Sequence, residues 1–189
     1  HRKITIYVTA LILIIGSMIG MNKIEISGSL IEDMPKNKQF FKDIKFFEDE
    51  FNGIMPLEIM VDTKRKKGVL KLSTLKRVNQ LEELIEEIPE LSKPISVVSL
   101  VKYSKQAYYN GNPKYYQLPT SQENSFILSY AKNSSSNIDL LKNFVDSTGQ
   151  YARITTFMKD IGTDKMERIQ ENLQTKIDKV FPSERYEVT

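Results

Sequence analysis

Ile4–Met21 (ITIYVTALILIIGSMIGM) holds no charged residue over about 18 positions, and this run constrains the chain more than any other. A helix of that length covers the hydrocarbon core of a bilayer. Helices and closed barrels are the only forms that satisfy their own backbone hydrogen bonds in lipid. Arg2 and Lys3 flank one end and Lys23 the other, where long cationic stems reach headgroups. Gly16 and Gly20 stand in a GxxxG spacing, with Ala10 and Ser17 also small, a pattern that lets helices approach closely in lipid. A secretory signal shares the basic flank, but its apolar core is usually about 7–15 residues and ends in a small-x-small cleavage site. Gly16–Asn22 offers no such match, and a lipoprotein anchor needs a cysteine that the chain lacks. A soluble core helix would need a polar face. Residues 1–23 therefore read as a membrane span, with a cleaved signal and a soluble core helix as the alternatives.

The remainder is long enough for one domain or two small ones. Over 189 residues, 27 Lys and Arg are mixed with 24 Asp and Glu, and a net charge of +3 gives no call for nucleic acid. Zero cysteines exclude disulfide and thiolate chemistry, and the single His stands at the first position. Neither a Ser-His-Asp site nor a His-rich zinc site can be built from that. Both ends read as cut from a larger protein, since the chain starts with His and stops in a strand-like run. Flanking charge says little about the side on which a long domain sits, and nothing in the polar part demands the cytoplasm. It is expected outside.

Lys23–Ser29 alternates like a short strand, and Asp33-Met-Pro35 breaks the chain before a new element. Residues 24–54 form a connecting segment with one short helix, because Phe40, Ile44, Phe47 and Phe51 share a helical face. Gly53 follows where a left-handed residue ends a helix. Met55–Thr63 alternates as a strand, with Leu57, Ile59 and Val61 on one face and Glu58, Met60 and Asp62 on the other. Lys64–Gly68 is a basic turn, read as a solvated loop ahead of contact with anionic headgroups.

Leu72–Ile88 carries an apolar stripe of Leu72, Leu75, Val78, Leu81, Leu84, Ile85 and Ile88, with Ser73 or Thr74 available as cap and Pro89 at its end. Glu82, Glu83, Glu86 and Glu87 lie off that stripe and read as a solvated face rather than a metal or acid–base cluster. Ile95–Val101, after Pro94, is expected to be a strand. Tyr103–Thr120 is polar and tyrosine-dense, with turn chemistry at Asn110–Pro113. Its pairs Tyr108-Tyr109 and Tyr115-Tyr116 read as packing of a long loop, or else as a contact for a ligand or neighbouring domain. Asn133–Asn137 reads as a loop. Ala152–Asp160 is a second strand, with Ile154, Thr156 and Met158 on one face. Asp164–Phe181 is a second amphipathic helix, with Asp164 and Glu167 spaced as a capping box and Pro182 closing it. Tyr186–Val188 starts another strand.

Strand, helix, proline and strand thus occur twice, in Met55–Val101 and Ala152–Thr189. The fold class expected is α+β: an N-terminal span, then a split βαβ (ferredoxin-like) domain over 55–189 with an insert over about 103–150. Both helices should share one face of one sheet. No phosphate-binding glycine loop, nucleophile elbow or metal-ligand spacing lies in either unit.

Leu30-Ile-Glu-Asp-Met-Pro35 resembles the acidic-x-x-Pro segment that follows the first span of the resistance–nodulation–division exporters. Phe46-Phe-Glu48-Asp-Glu-Phe51-Asn-Gly53 is similar to their Phe-Glu-x-x-Phe-Gly segment, with Asn52 as a departure. Pro56–Asp62 resembles the first porter strand, and Val97-Val-Ser-Leu100 the Ser-Leu that ends the next one. In this order the pieces resemble the MMPL-type branch, which exports lipids and other hydrophobic compounds, over nearly the whole chain.

The resemblance implies a bacterial inner-membrane protein of twelve spans with two large extracytoplasmic (periplasmic) loops. This chain would be its first span and most of its first loop. Proton-motive coupling would use acidic residues in spans outside this sequence. The implied partners are membrane lipids, the other spans, the second loop and a hydrophobic or lipid substrate. Self-association is left open, and no enzyme site, cofactor or metal is implied. Tyr108, Tyr109, Tyr115 and Tyr116 become the candidate substrate contacts. The alternative is a membrane-anchored extracytoplasmic sensor or ligand-binding domain of a signalling protein. Further spans after Thr189 would favour the exporter, and a cytoplasmic signalling domain the sensor.

Overall fold

Alternating side chains make two strands, β1 (Met55–Asp62) and β2 (Tyr151–Met158), which pair antiparallel along their whole length. In the computed structural model, the described residues are 2–21, 28–29, 31, 34–133 and 140–189. The readings for Lys23–Ser27, Leu30, Glu32-Asp33 and Ser134–Asn137 fall outside them. The register sets Ile59 opposite Ile154 and Val61 opposite Ala152, and all four are buried. Glu58, Met60, Tyr151 and Phe157 occupy the other, exposed face. The short β3 (Glu187–Val188) joins the free side of β1, giving the order β2-β1-β3.

The helices are α1 (Arg2–Met21), α2 (Gln39–Phe51), α3 (Leu72–Glu86), α4 (Val97–Tyr108), α5 (Asn124–Asn133) and α6 (Thr163–Val180). α3 turns Leu75, Val78, Leu81 and Ile85 onto the buried face of the sheet, and α6 adds Leu173, Ile177 and Val180 to the same core. Burying one such side chain is worth about 1.5–3 kcal/mol. The two helices also touch each other: the Arg77 guanidinium donates to the Val180 carbonyl, and Lys176 Nζ lies 3.2 Å from the Leu84 carbonyl. Both helices therefore cover one face of one small antiparallel sheet. The fold is α+β.

α1 stands apart. Its stretch Lys3–Met21 has a mean hydropathy of 2.2, none of it is buried, and it is the one described helix long and apolar enough to cross a membrane.

Ile95–Val101 is not a strand. From this part of the chain Leu91 and Ile95 make isolated bridges to β2, opposite Met158 and Thr155, and α4 begins at Val97. Ser96 decides this: its Oγ accepts from the Val98 amide at 2.9 Å, and its own amide reaches Ser99 Oγ at 3.5 Å. Such a cap is worth about 1 kcal/mol, more than the small helix penalty of a β-branched residue. Val97, Val98 and Val101 then fall on one buried helical stripe with Ser104 and Lys105. Ser99-Leu100 lies in the first turn of a helix, and the tyrosine-dense stretch is helical as far as Tyr108.

The expected caps also differ. Lys71 and Gly162 occupy the N-cap positions of α3 and α6, and neither helix has a side-chain cap. The left-handed residue closing α2 is Asn52 (φ 58°), one position before Gly53.

Candidate apolar groove

Successive residues on a helix point about 100° apart, so the adjacent pairs Phe40-Phe41 and Phe46-Phe47 cannot all face one way. Phe41 and Ile44 are half-buried beside the buried Glu48. Phe40, Phe46, Phe47 and Phe51 are left 53–64% exposed. Glu48 Oε1 accepts from the Asp160 amide at 2.9 Å, and Oε2 pairs with Lys45 at 2.8 Å. At the other end of α2, Asn52 Nδ2 donates to the Leu91 carbonyl at 2.7 Å. Gly53 (φ 151°) passes so near β2 that a Cβ would sit 2.8 Å from the Met158 backbone, so only glycine fits.

These contacts hold α2 beside the end of β2 and leave a groove of about 860 Å³ between them. Its apolar lining comes from Ile44, Phe47, Phe51, Ile54, Ile95 and Phe157, with Glu50 and Lys93 as its charged residues. The volume is that of a site for a drug-sized ligand. Ser92 also lines it, but its hydroxyl is committed to the Phe157 amide at 2.8 Å and to Thr156 Oγ1 at 3.2 Å. What the groove offers a ligand is apolar contact. Among the described residues, no group of three His, Cys, Asp or Glu is placed to hold a metal.

The four singled-out tyrosines lie elsewhere, and none lines this groove. Tyr109 stacks on Tyr115 with centroids 4.1 Å apart, and its hydroxyl donates to Glu123 Oε1 at 2.8 Å. Tyr108 packs against Tyr109, Phe126 and Tyr130. Tyr116 sits apart, edge-on to Tyr103 at 4.9 Å. Glu123 ties the end of α4 to the segment that leads into α5. Its bond to the buried Lys105, 2.8 Å long, is the main reason its pKa falls to about 2, and the Thr120 amide helps. The Tyr109 phenol is pushed up chiefly by donating to that carboxylate.

Glu82 is not on a solvated face. It is buried between α3 and α4, accepting from Ser96 Oγ at 2.6 Å with Lys102 at 3.8 Å. Burial raises its pKa, against the pull of Ser96 and Lys102. Glu83, Glu86 and Glu87 are exposed as expected. The four basic residues of the turn, Lys64–Lys67, are exposed too, at the end of β1 opposite the one where α2 is fastened.

The groove was absent from the sequence reading, although the doubled phenylalanines signalled an apolar surface too wide for one buried stripe. Fold and groove together define an α+β domain with an open apolar site, on a chain that starts with a membrane-length helix. Neither a scan against models of known protein families nor a search of curated proteins gives a match to this chain.

Proposed function

We propose that this chain is the first span and extracytoplasmic porter domain of an exporter of the resistance–nodulation–division type, MMPL branch, moving lipids or other hydrophobic compounds. The apolar groove carries the reading. Six of its ten lining residues are Phe or Ile, no catalytic constellation stands among the lining residues, and it lies in the domain that follows the apolar helix. The strand order is compatible with a split βαβ fold whose second strand is reduced to the bridges of Leu91 and Ile95. In that fold the sheet would run β3-β1-β2 and then this bridging segment, with α3 and α6 as the two crossovers. Transport would draw on proton-motive force through other spans, in a bacterial inner membrane. The groove would supply passage or selection, not chemistry.

A photoreactive acyl chain applied to the protein in lipid nanodiscs tests the site. Labelling is expected on peptides carrying Phe47–Ile54 and Ser92–Ile95, and is expected to fall several-fold in Phe47→Ser and Phe157→Ser. Labelling confined to Arg2–Met21 would remove the groove from the proposal.

A further inference from the structure

Resting on the reading of the groove as a hydrophobe site, we infer that α2 is its movable wall, positioned by Glu48 and Asp160 rather than by core packing. No α2 side chain belongs to the hydrophobic core or to the half-buried residues packed on it. The groove-facing Phe47 and Phe51 are more than half exposed. What fastens the helix is polar: Asn52 holds its C-terminal end to the Leu91 carbonyl, and the contacts along its body and lead-in converge on Asp160.

Asp160 Oδ2 accepts from Ser29 Oγ at 2.8 Å and from the Ile31 amide at 2.6 Å, while its own amide donates to Glu48 Oε1 at 2.9 Å. It thus holds the chain on both sides of the turn that leads into α2, where the Lys38 amide bonds to the Pro35 carbonyl at 3.1 Å. The other carboxylate oxygen, Oδ1, is buried with no hydrogen-bond partner among the described residues, so the clamp is incompletely satisfied. The C-terminal end has the geometry of a pivot. Asn52 and Gly53 are both at positive φ, and the Ile54 amide is fixed to the Met158 carbonyl at 3.1 Å. Release of the two carboxylates would swing α2 about that pivot and change the width of the groove. β1, β2 and α3 would stay in place, because their stability resides in the core.

Hydrogen exchange of the full chain in nanodiscs tests this, because it resolves local opening from global unfolding. Glu48→Ala and Asp160→Ala should each speed exchange of the α2 amides at least tenfold, with α3 and β2 amides unchanged. Glu48→Gln keeps an oxygen for the Asp160 amide and should restore most of the protection. Asp49→Asn, on the same helix but paired with Lys45 alone, should leave it unaltered. Acyl photolabelling at Phe47 and Ile95 should fall several-fold in the two alanine variants. Protection of α2 that survives both alanine substitutions, or exchange of α2 in step with α3 in the unsubstituted chain, overturns the inference. A groove that is never labelled in the unsubstituted chain defeats the hydrophobe reading instead, and the exchange data still decide the wall.

Discussion

Two carboxylates in this domain should respond to pH with opposite sign. Glu123 is held at about 2, chiefly by Lys105, below its ordinary 4.5, so its ionised form belongs to the folded chain. Its stabilising effect is complete above about pH 4.5 and drains away as pH falls toward 2. Glu82 is pushed the other way by burial, so the folded chain holds that proton more tightly than the unfolded one. Its contribution favours folding at low pH and is lost as pH rises through its elevated pKa. Urea unfolding across pH should therefore show a step removed by Glu123→Gln on the acid side. A decline with rising pH should be flattened by Glu82→Gln. An unchanged profile in either variant would mean that its carboxylate is not coupled to folding.

At the scale of the element, α4 depends on one hydroxyl. Ser96→Ala removes the cap and leaves Glu82 without its 2.6 Å donor. The loss should exceed the roughly 1 kcal/mol of a simple cap, because a buried carboxylate left with Lys102 alone, at 3.8 Å, adds a desolvation cost. Ser96→Asp restores a cap but sets a second carboxylate beside Glu82, so it should rescue the helix poorly at neutral pH. Ser96→Thr should rescue it well. Chemical denaturation of the three variants checks the order. Equal stability of the Asp and Thr variants would show that Glu82 is not felt at the cap.

At the scale of the whole molecule, α1 and the domain present opposite surfaces to solvent, one apolar and one mixed. An apolar helix with no buried residue is costly to leave in water, and the proposed span removes that cost. The absence of native cysteines makes the test clean. Lys66→Cys places a single thiol on the exposed basic turn and should react with an impermeant maleimide on intact cells. Reaction only after the membrane is broken would reverse the orientation. A mature chain beginning beyond Met21 would make the run a signal.

What local periodicity could determine, it did. The two-residue alternation of Leu57, Ile59 and Val61 marked β1, and the stripe from Leu75 to Ile85 marked α3, because side-chain geometry alone dictates which residues share a face. The α+β class follows from those patterns. The tertiary structure decided which faces are covered. Val97–Val101 carries β-branched residues suited to a strand, yet a cap from Ser96 and a place beside Glu82 made it a helix. Glu82 looks like its exposed neighbours in sequence, and only the start of α4 laid against it buries it. Phe40, Phe47 and Phe51 of α2 share a helical face by their spacing, and in the fold no α2 side chain joins the hydrophobic core. A pattern tells which side chains point together; what covers them depends on distant parts of the chain.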